Sequence, residues 1–215
     1  MLSSAVERLN QAFADRLQEE LPADAGLAPF VDGLAGLDAA GARGRPPATN
    51  LHPALVHLAA ALANLKGDPA LIAAIRETIP HVVFDGCYGA TGPGAGVSEA
   101  MVWGEIAGSS GLVRTTTMRL GFFLLSPSTV YPLHGHHALE IYDVVAGSMA
   151  VEHGFDGARH DLVAPAYSIT PAGMAHALHA GPEPVLIVYC HTGDLRRPVW
   201  WWKKDAAGNW RKTAD

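Results

Sequence analysis

The residues best suited to chemistry lie between Tyr131 and His176, in the C-terminal half of a chain of 215 residues. His134 and His136 are two positions apart, so on a β-strand both imidazoles project from the same face. Glu140 follows six positions after His134, and a straight strand of that length spans about 20 Å. Protein ligands lie about 2 Å from a bound metal, so a straight strand cannot bring these side chains to one ion.

A bend at residues 137 to 139 would remove this difficulty, because Glu140 could then begin a second strand that faces the same interior. Gly147, beyond that strand, is expected to supply a hairpin turn. His176 must come from a distant strand, which the chain enters through the turn that Pro171 opens. A closed β-barrel is the simplest structure that brings the three segments together.

The four side chains of His134, His136, Glu140 and His176 form a candidate site for one divalent transition metal. Three imidazoles and a carboxylate suit Fe(II), Zn(II), Mn(II) or Ni(II), and also Cu(II), and ligand type does not choose among them. The other histidines are assigned differently. His137 is expected to be exposed in the bend, and His179 and His191 are left open as residues that support the ligands or line the pocket. The remaining five fit no ligand pattern and are taken as ordinary surface or core residues: His52, His57, His81, His153 and His160.

Tyr142 adds a reactive group beside the candidate ligands. It lies two residues after Glu140, so its phenol should face the same pocket. A phenol with an ordinary pKa near 10 is a poor base at neutral pH, but a neighbouring divalent cation favours the phenolate and lowers that pKa. Tyr142 is therefore a candidate base for a carbon-bound proton. Tyr131, just before the first histidine pair, is a second candidate catalytic residue.

Residues 1–80 are expected to form a helical segment that packs on the barrel. Apolar residues recur at three- and four-residue steps from residue 4 to residue 21, with Ser4 and Glu7 spaced as a capping box. A second helix is predicted over residues 27–37. Pro53 and Pro69 each open a further helix, because the first turn does not need the missing N–H. The run from residue 41 to residue 50 indicates an exposed connection.

Residues 81–215 show short β-branched and aromatic runs cut by glycine and proline, which indicate an antiparallel sandwich or barrel. The stretch from residue 88 to residue 99 is too rich in glycine for a packed strand and is expected to cross between the two halves. Residues 200–202 are three consecutive tryptophans, of which at least one must point away from any pocket. That tryptophan run is expected to pack against the helical segment or against a second copy in a homodimer.

Composition excludes several classes of protein. Acidic residues outnumber basic ones by 21 to 15 and no long basic run occurs, so a nucleic-acid partner is not expected. The N-terminal residues lack the pattern of a signal peptide, and no apolar stretch is long enough to cross a bilayer, so we expect a cytoplasmic protein without a membrane partner. Two cysteines far apart in sequence are too few for a disulfide framework and are expected to be inert core residues.

Two motifs resemble those of the cupin superfamily. The first, H-x-H-x3-E-x6-G, covers His134 to Gly147, and the second, P-x-G-x2-H, covers Pro171 to His176. Three positions depart from the family pattern: the glycines that open the two motifs are Ser128 and Pro165 here, and the closing asparagine is Ala180. These departures affect turns rather than ligands. The resemblance implies a mainly β fold, with a C-terminal cupin (a double-stranded antiparallel β-barrel or jelly roll) after the helical segment.

The helical segment, the cupin and the pattern His-x-His-x3-Glu-x-Tyr are together similar to the cupin-type dimethylsulfoniopropionate (DMSP) lyases, the DddQ, DddL, DddW and DddK group. This resemblance implies a metal that holds the substrate carboxylate and a tyrosine that removes the proton from the adjacent carbon, giving dimethyl sulfide and acrylate. It implies that Tyr142 is the base, alone or also as a transient metal ligand. It further implies that His136, Glu140 and His176 are metal ligands and that His134 is a ligand or a hydrogen-bonding pocket residue. Tyr131 would orient the substrate or act as a secondary base.

A sulfonium substrate would be received by aromatic faces, as quaternary ammonium groups are. Four aromatic residues lie on strands that could line the barrel, although the sequence does not assign their faces: Trp103, Phe122, Phe123 and Tyr189. Two other functions remain open. The same ligands could serve a dioxygenase or an isomerase, and a cupin could also bind a small ligand without catalysis.

Overall fold

The computed structural model describes residues 2–45 and 52–214. The helical segment comprises α1 (Leu2–Glu20), α2 (Ala28–Ala35), α3 (Leu58–Ala63) and α4 (Pro69–Thr78). Short 3-10 turns span Ala25–Leu27, Ala39–Gly41, Pro53–His57, Ile79–His81 and Ala95–Val97. All four predicted helical stretches are present. The helix that Pro53 opens begins as a 3-10 turn, and residues 46–50 of the predicted connection lie outside the described residues.

The first and last helices of the helical segment, α1 and α4, test what the sequence predicted about buried faces and helix starts. In α1 the apolar stripe is fully buried from Val6 to Leu17, whereas Leu21, the last residue of the predicted stripe, follows the helix and is half-buried. The predicted capping box is wrong, because the helix begins at Leu2 and Ser4 lies inside it. At α4 the cap forms as its sequence indicates. Asp68 accepts a hydrogen bond from the backbone N–H of Leu71 at 2.9 Å, and Pro69 occupies the first turn.

Thirteen strands are present in the described part of the chain: β1 (Asp85–Gly86), β2 (Met101–Gly108), β3 (Val113–Arg114), β4 (Met118–Leu125), β5 (Val130–Gly135), β6 (Ala138–Ala146), β7 (Ser148–His153), β8 (Arg159–Val163), β9 (Ala166–Thr170), β10 (His176–Ala180), β11 (Val185–Gly193), β12 (Trp200–Lys204) and β13 (Trp210–Ala214). They form two sheets, which we call sheet A (β1-β2-β4-β11-β6-β9, with β3 beside β2) and sheet B (β13-β12-β5-β10-β7-β8). The pairings are antiparallel except for β2 with β3. The predicted mainly β fold with N-terminal helices is confirmed.

On the central strands of sheet A, successive side chains belong to two different cores. On β6, Tyr142 and Val144 belong to the core between the sheets, whereas Ile141 and Val145 belong to a core shared with the helices. Period-two alternation is the general rule for a strand, so one strand supplies both sides. Because a single core joins helices and sheet A, the division into residues 1–80 and 81–215 stays a proposal.

The chain bends where the candidate site requires it. Strand β5 ends at Gly135 and β6 begins at Ala138, so the bend lies at His136 and His137, slightly earlier than predicted. His137 is half-buried rather than exposed, and its ring lies 4.8 Å from that of Trp200.

The predicted hairpin at Gly147 is wrong. Strand β6 belongs to sheet A and β7 to sheet B, so the chain changes sheets at this glycine. Gly147 has φ of +76°, and an added Cβ would lie 2.4 Å from the carbonyl oxygen of Pro184. A glycine is therefore required here by both the backbone conformation and the close approach.

The tryptophan run lies on β12 and alternates as predicted. Trp201 is buried between the sheets, whereas Trp202 packs with Trp210 on the outer side of sheet B. The expected homodimer stays a prediction. Within the described residues, no helix is long and apolar enough to cross a membrane.

Candidate metal centre and cavity

Three strands and one bend deliver the candidate ligands to the space between the sheets. His134 on β5 and His176 on β10 are direct cross-strand partners, with ring centroids 3.9 Å apart. His136 follows at the bend, and the ligand nitrogens of these three residues all lie within 4.8 Å of one another. All three histidines are at least nine-tenths buried. The structure therefore brings together the imidazoles that the sequence selected.

Each of the three imidazoles is held in one tautomer by the backbone. The Nδ1–H groups of His134, His136 and His176 donate to the carbonyl oxygens of residues 132, 138 and 174 at 2.8, 3.0 and 3.0 Å. An imidazole that donates from Nδ1 can present a lone pair at Nε2, which is the arrangement found in metal-ligating histidines. The donor set therefore fits a divalent metal.

Glu140 on β6 lies beside this cluster. With His136 and His191 it forms a second group, in which the potential ligand atoms also lie within 4.8 Å of one another. The Glu140 side chain is 1% exposed, and Oε2 lies 2.7 Å from Nε2 of His136 and 3.5 Å from Nε2 of His176. Its other oxygen, Oε1, contacts Nε2 of His191. Burial alone would raise the pKa of Glu140, but His191 and His136 hold it well below its ordinary value. A buried carboxylate that stays ionised beside imidazoles is well suited to a cation.

Tyr142 lies next to this cluster on the same face of β6. Its hydroxyl donates to Nε2 of His176 at 3.2 Å, and the side chain is fully buried. Burial, with the Glu140 charge in second place, raises the pKa of Tyr142 well above its ordinary value. The protein alone therefore keeps this phenol protonated at neutral pH. A positive charge must be added nearby before Tyr142 can act as a base.

Tyr131 lies against the cluster at His134. Its ring stacks on that of His134 with centroids 3.9 Å apart, and its hydroxyl forms a hydrogen bond with the hydroxyl of Tyr88. Burial raises the pKa of Tyr131 well above its ordinary value, and Tyr88 raises it further. Tyr131 is thus a neutral hydrogen-bonding group in this arrangement.

Both tyrosines and three of the candidate ligands, His134, His136 and Glu140, line one cavity of about 190 Å³, whereas His176 is buried and does not line it. This volume is below the several hundred cubic ångströms usual for drug-sized ligands, so the cavity suits a small molecule. Trp103, Phe123 and Tyr189 line it as expected, but Phe122 does not, because it faces the core shared with the helices. The full lining is Cys87, Tyr88, Met101, Trp103, Arg119, Phe123, Tyr131, His134, His136, Glu140, Tyr142, Tyr189, His191 and Val199.

The aromatic wall, by which we mean Trp103, Phe123 and Tyr189, is built by strand register. Phe123 is the cross-strand partner of Trp103, and its ring stacks on that of Tyr189 with centroids 4.4 Å apart. Tyr189 can lie flat because Gly121 is its partner on β4, where an added Cβ would lie 2.8 Å from the tyrosine ring. The Tyr189 hydroxyl is buried and has no hydrogen-bond partner among the described residues.

Besides Met101 and Val199, four lining residues with polar or reactive side chains were not identified from the sequence or were assigned elsewhere. Tyr88 begins the glycine-rich segment and Cys87 directly precedes it, so this part of the chain touches the site instead of only crossing between the halves. Cys87 packs against the core between the sheets and also lines the cavity, and burial raises the pKa of its thiol. Arg119 belongs to no recognisable sequence motif. His191 was left open, and its alternation with Tyr189 on β11 is the signal that could have assigned it to the cavity.

The remaining histidines take ordinary roles. His153 contacts the Thr170 hydroxyl at 3.1 Å, and His179 pairs with Glu152 at 3.0 Å, with the His179 side chain 17% exposed. His52 accepts the backbone N–H of Ala54 through Nδ1. None of the three belongs to a group of potential metal ligands within the described residues.

The chain is similar to known proteins in sequence and in fold. A family model for dimethylsulfoniopropionate lyase matches residues 34–187. The curated protein "Putative dimethylsulfoniopropionate lyase DddL" of Cereibacter sphaeroides is 33% identical over 95 residues, which are 43% of this chain and 39% of that protein. The chain thus matches well under half the length of that relative.

Solved structures show the same fold. A chain from the crystal structures of DMSP lyases RdDddP and RnDddQII superposes with a TM-score of 0.64 at 22% identity, covering 90% of this chain and 100% of the other. DMSP lyase DddQ from Ruegeria pomeroyi DSS-3 gives a TM-score of 0.64 at 19% identity, covering 87% and 95%. The family model covers well over half of the sequence. The chain therefore belongs to the dimethylsulfoniopropionate lyase family.

Proposed function

We propose that the protein is a metal-dependent carbon–sulfur lyase that cleaves DMSP to dimethyl sulfide and acrylate. The observation that carries the proposal is the position of the Tyr142 hydroxyl, which lies 3.2 Å from Nε2 of His176 while the Tyr142 side chain lines a small cavity together with His134, His136 and Glu140. A general base and a cluster of ligand nitrogens thus face the same volume. Membership of the DMSP lyase family supports the choice of substrate.

His134, His136, Glu140 and His176 are the proposed ligands of one divalent metal, with Fe(II), Zn(II), Mn(II) and Ni(II) as the candidates. A metal bound there would act as a Lewis acid toward the substrate carboxylate and would stabilise negative charge on the adjacent carbon. The residues fit because their Nε2 atoms converge while their Nδ1 atoms are held by carbonyl groups.

Tyr142 is the proposed base. Its phenolate oxygen would take the proton from the carbon next to the carboxylate, and that C–H electron pair would form the new carbon–carbon double bond. The bond from the β-carbon to sulfur breaks in the same elimination, and its electron pair leaves with neutral dimethyl sulfide. The protonated tyrosine then returns its proton to solvent. No acid is needed at sulfur, because the sulfonium leaves as a neutral molecule.

Tyr131 is proposed to orient the substrate rather than to remove a proton. Its hydroxyl is already engaged with Tyr88, and its ring lies flat against His134. Both contacts fix the phenol at the edge of the ligand cluster. A fixed hydroxyl at this place can donate a hydrogen bond to a substrate oxygen.

The aromatic wall is proposed to hold the sulfonium. Aromatic faces attract cations, and the attraction is stronger where water is excluded. Trp103 and Phe123 line the same cavity as the ligands, so a short zwitterion can place its carboxylate at the histidines and its cation at the rings. This charge distribution distinguishes the substrate from a carboxylate of equal size that lacks the cation.

The proposal is tested by incubating protein loaded with each candidate metal with DMSP under anaerobic conditions. Dimethyl sulfide and acrylate should form in equal amounts, and protein stripped with a chelator should form neither. Since an elimination consumes no oxygen, turnover should be unchanged when oxygen is admitted, whereas a dioxygenase would require it. The absence of both products with every metal shown to be bound would refute the lyase proposal.

A further inference from the structure

His191 is a buried histidine in direct contact with a proposed ligand but without a role in the elimination. It lies on β11 directly opposite Glu140 on β6, and the two residues are Cα partners in the sheet. Its Nε2 contacts Oε1 of Glu140, and its side chain is 12% exposed. The contact is therefore fixed by strand register and shielded from solvent.

His191 occupies a different place from the three clustered imidazoles. In His134, His136 and His176 the Nδ1–H donates to a backbone carbonyl, and the ligand nitrogens of all three lie within 4.8 Å of one another. His191 does not belong to that group of three. Its Nε2 instead contacts Oε1 of Glu140, and it is grouped only with Glu140 and His136. His191 therefore lies next to the carboxylate rather than among the three converging imidazoles.

The two oxygens of Glu140 consequently face different partners. Oε1 is held by His191, while Oε2 lies 2.7 Å from His136 and 3.5 Å from His176. A carboxylate that is free to rotate would present either oxygen, or both, to the cluster. With Oε1 bound, only Oε2 faces the converging nitrogen atoms.

We infer that His191 is a positioning residue that fixes Glu140 as a ligand through one oxygen and that is not itself a ligand. The inference rests on the proposed metal site and adds a residue to it. His191 has Arg119 as its partner on the other side, on β4, and the Arg119 guanidinium donates to the carbonyl oxygen of Leu195 at 2.8 Å. The rings of His136 and Tyr189 lie 5.1 and 5.2 Å from the His191 ring. These neighbours hold the imidazole in place between the strands.

The experiment measures metal binding without substrate, using His191→Ala, His191→Gln and the control His179→Ala. The control removes a histidine that also pairs with a glutamate, at 3.0 Å, but outside the cavity. Zn(II) affinity is determined by competition with a chelator. His191→Ala should bind roughly 10- to 100-fold more weakly, as expected when a ligand loses its supporting hydrogen bond. His191→Gln, which can still donate to Oε1, should recover part of this loss, and His179→Ala should keep the wild-type affinity.

Pulsed electron paramagnetic resonance of the Cu(II)-loaded proteins supplies a second readout, because it counts coordinated imidazoles. The count should be the same in wild type, His191→Ala and His191→Gln. One imidazole fewer in both variants would show that His191 is a ligand, and an unchanged Zn(II) affinity in His191→Ala would show that it positions nothing. Either result overturns the inference. Since DMSP is absent, failure of the lyase proposal would leave these measurements unaffected.

Discussion

The sharpest test of the mechanism compares Tyr142→Phe with Tyr189→Phe. The two tyrosines are cross-strand partners on β6 and β11 and line the same cavity, and each substitution removes one buried hydroxyl. Their hydroxyls differ in one respect. That of Tyr142 donates to His176 at 3.2 Å, whereas that of Tyr189 has no partner among the described residues. Comparing the two variants therefore distinguishes loss of the catalytic base from loss of any buried hydroxyl in the cavity.

The expected magnitudes follow from these contacts. Loss of a general base lowers kcat by roughly 100- to 10,000-fold, which is about 3 to 5 kcal/mol of barrier. Tyr142→Phe should also lose one neutral hydrogen bond, at a cost of about 1 kcal/mol in the free energy of unfolding. Tyr189→Phe should stabilise the fold by about 1 kcal/mol, since it removes a buried hydroxyl that lacks a partner. Its effect on kcat should be far smaller than that of Tyr142→Phe.

The assay records dimethyl sulfide release by gas chromatography, metal content by elemental analysis and thermal unfolding by circular dichroism. Metal content must be equal in both variants and wild type, because neither tyrosine is a proposed ligand. If Tyr142→Phe kept most of its kcat with full metal content, Tyr142 would not be the base. If the two variants lost kcat equally, the effect would belong to the shape of the cavity rather than to proton transfer.

Three further predictions concern the substrate, the base and the core. Trp103→Leu should weaken binding of 3-(trimethylammonio)propionate by roughly tenfold more than binding of 4,4-dimethylpentanoate, the isostere in which carbon replaces the cationic nitrogen, because a desolvated cation–π contact contributes about 1 to 2 kcal/mol. Equal losses of affinity in calorimetry would contradict the proposed aromatic wall. Zn(II) added to metal-free protein at mildly alkaline pH should increase tyrosinate absorbance, since burial raises the metal-free pKa of Tyr142 well above its ordinary value, and Tyr142→Phe should lack the increase. Burial raises the pKa of Asp143, on the helix side of β6, from 3.8 to about 7, so the native state favours the protonated carboxyl. The free energy of unfolding therefore falls as pH rises from about 4 through about 7. Asp143→Asn should remove that dependence and stabilise the protein above pH 7 by up to about 4 kcal/mol, and a urea midpoint that differs from wild type equally at pH 5 and pH 8 would refute this.

The sequence predicted the local parts of the fold well because they follow from local physics. The buried stripe of α1 and the Asp68 cap at Pro69 need only period and hydrogen-bonding chemistry. The convergence of His134, His136 and Glu140 followed from a distance limit, which required a bend in the chain. Gly147 shows the limit of such reasoning, because a hairpin turn and a change of sheet both need a glycine and differ only in the distant strand that each side joins.

The site was predicted where its residues lie close together in sequence and missed where they do not. Tyr88 reaches Tyr131 across 43 positions and His191 reaches Glu140 across 51, and these contacts depend on which strands become neighbours. Strand order is a property of the whole sheet, so no short pattern encodes it. Arg119 was missed for the same reason, because it enters the cavity only through its pairing beside His191.

The alternation along β6 has a consequence for how this protein can change over evolution. Glu140 and Tyr142 face the cavity, while Ile141 and Val145 seal the sheet against the helices. Insertion of a single residue just before Glu140 would exchange the two faces, placing a carboxylate and a phenol in the helix-side core and an isoleucine among the histidines. Residues that serve the site thus alternate along one strand with residues that stabilise the core. Substitutions can change either set one residue at a time. An insertion just before Glu140 preserves both faces only if it adds an even number of residues.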